Sequence, residues 1–175
     1  MTHIEPCGPW TSAEALSFLC AIAIPLRLSA VSPSGFPIVV SLWFLSDENV
    51  IWCATSKAAK VVRFLSTNEK CGFEVAADKP PYRGLRGQAR ARICPDRSQE
   101  TLVRLIDKYL DNREDQLSRW LLARAEDEVA ICPDPIRIQS WDYTSRMTEV
   151  ATRRQQTKVS STVFSSPILR DQTNP

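Results

Sequence analysis

The sequence predicts a mainly β fold, a small antiparallel barrel of about six or seven strands with short helices outside. Three observations carry this. Apolar runs of strand length recur along the chain, bounded by Pro, Gly, Asn and Asp. The early runs are joined by hairpin-length turns and not by the crossovers a parallel sheet needs, which disfavours a dinucleotide-binding α/β sheet. The chain has 175 residues, 43% hydrophobic and 24% charged, enough for one ordinary globular domain and its core.

Residues 1–10 hold two prolines and a glycine and read as a lead-in arm. Thr11 and Glu14 have the spacing of a capping box, so a short helix to about Ala21 is expected. Ile24 to Val31 reads as a strand. Ser32 to Gly35 is a turn, with Pro33 presetting φ and Gly35 free to take positive φ. Phe36 to Leu45 is one apolar run, typical of a strand buried on both faces. A second turn over 46–49 and a strand over Val50 to Ala54 complete two successive hairpins, a meander.

The period then changes. Ala58, Val61, Val62 and Leu65 share one helical face, so a helix should start just after Thr55, Ser56 and Lys57. Lys70 to Ala77 returns to strand, and Pro80 and Pro81 break it. Leu85, Ala89, Ala91 and Ile93 alternate strictly with Arg86, Gln88, Arg90 and Arg92, with Gly87 on the apolar side, where something can approach closely. Pro95 to Ser98 ends that strand and is expected to cap a helix with a buried stripe of Leu102, Leu105, Ile106, Tyr109 and Leu110. Leu117, Trp120, Leu121 and Ala125 suggest another, with Glu114 and Asp115 at its N-terminus. Val129 to Cys132 and Ile136 to Trp141 read as a last pair of strands, separated by Pro133 and Pro135. The Ser/Thr/Gln-rich tail from about Ala151 is expected to be disordered.

Charge and cysteines narrow the function classes. The net charge is +2, which makes no case for a nucleic-acid partner. The longest apolar run, Phe18 to Leu26, is about half of what a bilayer span requires, so no membrane association is expected. Glu5 and Glu14, and no basic stretch, lead into it, so it does not read as a signal peptide and a cytoplasmic location is expected. Six scattered cysteines without a C-x-x-C, and a single histidine, His3, exclude a recognisable zinc site and any Cys-His or Ser-His-Asp set. The cysteines read as structural thiols.

What remains is an anion-binding signal in two pieces. Thr55, Ser56 and Lys57 precede a helix start, where free amides and the helix dipole suit a phosphate; taken alone, the segment is first read as an ordinary cap followed by a surface lysine, since any helix start looks like this. Lys79 to Arg92 holds five basic residues and no acid, either a solvated strand face or a basic wall for an acidic ligand. Trp141, beside polar residues and Arg146, suits a lid over a planar ligand.

The order of these pieces resembles the flavin-binding split-barrel family, the pyridoxamine 5'-phosphate oxidase-like superfamily. The residues that carry it are Gly35 to Phe44, then Val50 to Ala58, then a helix, then Pro80, Pro81, Tyr82, Arg83 and Gly84 with Gly87 and Ala89 following. The resemblance covers about residues 11–147. It implies a six-stranded split β-barrel, an expected domain over 11–150 between the arm and a tail over 151–175, and a homodimer with flavin mononucleotide (FMN) at its interface. Main chain of Val40, Ser41, Leu42 and Trp43 would line the flavin ring. Ser56 and Lys57, with Arg83 or Arg86, would meet the phosphate, and Thr55 and Tyr82 would also belong to the cofactor site. Trp141 and Arg146 resemble a late Trp and Arg brought in by the partner subunit. The implied activity is a flavin-dependent oxidoreductase acting on a small molecule, with no catalytic residue specified. A deazaflavin is the alternative cofactor, and a non-catalytic flavin- or haem-binding protein the alternative role. The chain lacks the oxidase's basic residues over Ile38 to Trp43 and has no late histidine, which argues against pyridoxamine phosphate as substrate.

Overall fold

The computed structural model describes residues 5–47, 50–110 and 112–148. The tail from Ala151 and part of the 46–49 turn lie outside these residues. Helix α1 (Ser12–Ala21) opens on the expected capping box, Thr11 and Glu14 each satisfying the other's backbone amide. Strand β1 (Leu26–Val31) pairs antiparallel with β2 (Pro37–Leu42) across the turn at Gly35, whose φ of 86° only glycine adopts without strain.

The expected single strand over Phe36 to Leu45 is two strands. It breaks at Trp43, and β3 (Phe44–Asp47) pairs with β4 (Val50–Ser56). Tyr109 explains how the break is tolerated. The Phe44 amide donates to its hydroxyl at 3.3 Å, and that hydroxyl donates to the Ile24 carbonyl at 3.2 Å. There is no meander, because β2 and β3 end at opposite edges of one seven-stranded sheet, ordered β2-β1-β5-β6-β7-β4-β3. Since β2 and β3 are consecutive, the bent pair joins both ends of this order. The curled sheet thus has seven strands where six were expected, the extra one coming from the break at Trp43. Nor is the run buried on both faces: Ile38 and Val40 pack against the core, while Val39 between them points to the other face and is 65% exposed.

Helix α2 (Lys60–Thr67) begins later than expected, and Ala58 is exposed rather than part of its buried face of Val61, Val62, Phe64 and Leu65. Strand β5 (Lys70–Ala76) pairs with the 12-residue β6 (Arg83–Cys94). The strict alternation of β6 holds. A Cβ at Gly87 would lie 2.5 Å from both the Arg137 carbonyl oxygen and the Phe73 ring, so the close approach expected there is real. A short turn of 3₁₀-helix precedes α3 (Ser98–Tyr109). Ser98 does not cap it. Its hydroxyl donates to the Pro95 carbonyl at 2.7 Å and accepts from the Ala130 amide at 3.2 Å, tying α3 to the last strand.

Helix α4 (Gln116–Leu122) is capped by Asp115, which accepts from the Ser118 amide at 2.6 Å. Its expected apolar stripe is not buried. Only Ser118 is, while Leu117 is 46% and Trp120 55% exposed. The expected last pair of strands is one strand, β7 (Glu128–Asp142), of 15 residues. Pro133 and Pro135 do not interrupt it, because β4 pairs with β7 only up to Ile131 and one side of β7 is then free of a ladder. A bulge opposite Gln88 and Ala89 leaves Ile136 without a partner.

The core lies inside the barrel, around Leu26, Leu28, Phe44, Cys53, Val75, Leu85 and Ile131, plugged by α1 and α2. A second packed layer lies outside, where Leu102, Leu105 and Ile106 of α3 cover Ala130 and Cys132 of β7. The arm crosses back and bridges Cys7 to Gln139 in parallel. No described helix is long and apolar enough to cross a membrane.

Candidate functional site

The bend at Trp43, the end of β4, the start of β7 and helices α3 and α4 surround a cleft of about 280 Å³. Ser41, Leu42 and Trp43 form one wall; Ala54 and Glu128 the floor; Leu102, Leu105, Leu117 and Leu121 the rest. The strand period places these side chains there. Ala54 pairs with Ala130, and Ser56 with Glu128, so both pairs face α3 and α4, while Cys53 and Ile131 face the barrel interior. Trp43 is fixed by stacking on Tyr109, with ring centroids 4.9 Å apart and planes 7° from parallel. Tyr109 is itself held in the low-dielectric layer, where burial pushes its phenol up to about 12. Of the four strand residues expected to line a ring, Ser41 to Trp43 meet the cleft, while Val40 turns toward the core.

Thr55 and Ser56 end β4 beside this cleft, but Lys57 is not at a helix start. It sits in a turn, its amide donating to the Asp127 carbonyl at 2.8 Å and its ammonium to the Glu126 carbonyl at 2.5 Å. Lys60 is the residue that opens α2, and its side chain is exposed with no hydrogen bond or ion pair among the described residues. The sequence pattern places the helix start ahead of Lys60, but Ala59 is still extended, so Lys60 is the first helical residue.

The arginine wall is a compensated surface. Arg90 pairs with Glu69, Arg92 with Asp134 at 3.8 Å, and Arg86 donates to Gln139 at 3.0 Å. Arg83 lies opposite Asp142, whose carboxyl is held low by hydrogen bonds from Thr144 and Trp10 and by the Arg83 charge, against the opposing effect of burial. Acids absent from the run itself arrive from the residue before β5, Glu69, and from Asp134 of β7.

Tyr82, Arg83, Trp141 and Arg146 gather at the far end of β7. Trp141 and Tyr143 rings lie 5.4 Å apart, the Tyr143 amide donates to the Tyr82 carbonyl at 3.0 Å, and Arg146 is exposed. The Trp141 Nε1 is shielded from solvent and has no hydrogen-bond partner among the described residues. Such a donor is costly unless something meets it.

The site residues therefore fall into two groups that one chain does not bring together. Ser56 pairs with the first residue of β7 and Arg83 with the last. At about 3.3 Å per residue, roughly 45 Å of strand contour separates them. No group of His, Cys, Asp and Glu among the described residues could hold a metal ion.

No family model and no curated protein matches the chain. Solved structures do. The conserved hypothetical protein Rv2991 of Mycobacterium tuberculosis superposes with a TM-score of 0.67 at 19% identity, over 82% of this chain and 89% of that one. An F420 reductase superposes with a TM-score of 0.57 at 24% identity, over 70% and 94%. A protein of Listeria innocua described as a pyridoxamine 5'-phosphate oxidase gives 0.53 at 19%, over 73% and 93%. The chain thus has the split-barrel fold of the pyridoxamine 5'-phosphate oxidase-like proteins.

Proposed function

We propose that the chain is a homodimeric flavin-binding oxidoreductase acting on a small molecule, with FMN held between two copies. The observation that carries this reading is the division of the site residues between the two ends of β7. The cleft of about 280 Å³ is open and falls just below the roughly 300–1,000 Å³ of a complete ligand pocket. A two-fold axis near the middle of β7 would set one copy's Ser41 to Lys57 against the other's Tyr82, Arg83, Trp141 and Arg146.

The residues fit an FMN in kind. Ser41 to Trp43 offer main chain and an immobilised ring to a planar group. Thr55, Ser56, Lys57 and Lys60 offer hydroxyls and cations to a phosphate at the start of α2. Trp141 offers an unmet N–H donor. The flavin would supply the redox chemistry, and the protein would bind, orient and shield it. A deazaflavin is the second reading, favoured by the likeness to an F420 reductase and by Arg83 and Arg86, which have no ion pair of their own among the described residues and suit a longer acidic tail.

The test is an absorbance spectrum after mixing with FMN and desalting. About one flavin retained per chain, reduced on adding NADPH or NADH, is expected. A colourless protein refutes the FMN assignment, and the same protein is then titrated with deazaflavin. Retained flavin that no reductant or substrate turns over would make it a binding protein.

A further inference from the structure

Lys108, near the end of α3, stands apart from the other described lysines. Lys57, Lys60, Lys70 and Lys79 are exposed, whereas Lys108 is half-buried. Its ammonium lies 4.0 Å from the centroid of the Phe44 ring and donates at 3.2 Å to the Leu19 carbonyl, in the last turn of α1. Phe44 belongs to the barrel interior and Trp43 to the cleft, so this place lies on the other side of the strand bend from the flavin site. The residue after Leu19 is Cys20, an exposed free thiol. A carbonyl oxygen lies within about 3 Å of the next Cα, which puts the Lys108 nitrogen within roughly 6 Å of the Cys20 Cα. Burial holds the Lys108 amine below its ordinary value, against the opposing effect of the neighbouring Cys20 and Cys53. It thereby favours the neutral amine, which is the nucleophilic form.

We propose that Cys20 and Lys108 form an acyl-acceptor site for thioesters, Cys20 taking the acyl group first and Lys108 keeping it. The Cys20 thiolate attacks the carbonyl carbon of the thioester. The bond from that carbon to the donor sulfur breaks, and the donor thiolate leaves and takes from water the equivalent of the proton that Cys20 gave up. The neutral Lys108 amine then attacks the same carbon, the bond to the Cys20 Sγ breaks, and the amine proton passes to the Cys20 thiolate. One thioester and one amine become one amide and one thiol, with no oxidant or reductant. Burial divides the two roles: the exposed thiol can meet a donor, and the half-buried amine receives the acyl group from it. The amide carries no charge, so the modified side chain no longer places a cation over Phe44. None of this requires a bound flavin.

The test incubates the full chain with acetyl-coenzyme A and maps acetylated residues by mass over time. Lys108 is expected to react at least about ten-fold faster than Lys57, Lys60, Lys70 or Lys79, a small part of what holding an acyl group beside an amine supplies. Cys20→Ser should remove that advantage, and Cys7→Ser, which takes away the other exposed thiol, should leave it intact. Acetic anhydride needs no thiol exchange and should acetylate Lys108 equally in wild type and Cys20→Ser, which shows that the amine is still in place. Lys108→Arg keeps a cation over Phe44 but offers no acceptor amine, so a hydroxylamine-labile acetyl group should accumulate on Cys20. A lysine that only caps α1 gives the opposite results. Lys108 acetylated no faster than the exposed lysines, an undiminished rate in Cys20→Ser, a loss that Cys7→Ser or acetic anhydride shares, or no thioester on Cys20 in Lys108→Arg would overturn the inference.

Discussion

If each flavin site is built from opposite ends of two chains, defects at the two ends should complement each other. The first variant removes the cations of the α2 end, Lys57→Ala with Lys60→Ala. The second removes those of the far end of β7, Arg83→Ala with Arg86→Ala. Every site in either homodimer lacks two charge-assisted contacts. At about 1.5–3 kcal/mol each, even the low end totals about 3 kcal/mol, more than a hundred-fold in Kd. A mixed dimer differs. One of its sites carries both defects, and the other draws its lysines from one chain and its arginines from the partner, so it is intact. Random reassortment makes about half the dimers mixed, so about a quarter of all sites should regain wild-type affinity. The assay mixes the variants at equal concentration, unfolds and refolds them together, and counts tightly retained FMN after desalting. No recovery in the mixture, with both homodimers defective and dimeric, would refute the two-chain site. It would mean that the chain bends its own β7 ends into one site, or that one group does not touch the cofactor.

Three further outcomes follow from the fold. Gly87→Ala drives a Cβ to 2.5 Å from a β7 carbonyl and the Phe73 ring and should cost about 1–3 kcal/mol, a drop of roughly 2–12 °C in Tm; an unchanged melt would mean the strands part freely there. The Arg104 hydrogen bond at 2.6 Å is the main cause holding the Asp47 carboxyl below its ordinary value. Its stabilisation is therefore present above the unfolded carboxyl pKa and lost as pH falls through the lower folded one. Asp47→Asn should cost no more than about 1 kcal/mol at pH 7, and the difference from wild type should vanish in acid denaturation curves near pH 2. Cys7 and Cys20 are exposed, whereas Cys53, Cys71 and Cys132 are buried, with burial pushing the Cys71 thiol up to about 11. A thiol reagent at pH 8 should modify Cys7 and Cys20 first and the buried three only on unfolding; early loss of Cys53 by mass mapping would contradict the packing.

The parts of the fold legible in the sequence were those whose cause is local. The capping box at Thr11, the turn at Gly35 and the alternation of β6 each depend on neighbours within a few residues, and each is present. What misled were runs whose outcome depends on distant partners. Phe36 to Leu45 has the composition of one strand, yet its halves pair with β1 and β4 at opposite edges, and the break is tolerated because Tyr109, more than 60 residues on, supplies the Phe44 amide with a partner. Pro133 and Pro135 have the look of a break between strands, yet they fall where β4 has already left β7. Leu117, Trp120 and Leu121 have helical spacing, but α4 is anchored through Ser118, whose hydroxyl donates to the Asn112 carbonyl at 2.8 Å, and its apolar residues stay at the surface.

The same division governs the site. Residue types suited to a phosphate and a planar ring could be picked out along the chain, but charge balance and grouping could not. The arginines of β6 read as unopposed because Glu69, Gln139 and Asp134 reach them only once β5 and β7 lie beside β6. Strand length then decides what can cooperate. Because β7 runs unbroken through both prolines, it carries Glu128 with the Trp43 cleft at one end and Trp141 with Arg83 at the other. Two separate strands joined by a tight turn could have folded those ends onto each other within one chain. One continuous strand cannot, so a ligand that needs both groups needs two chains.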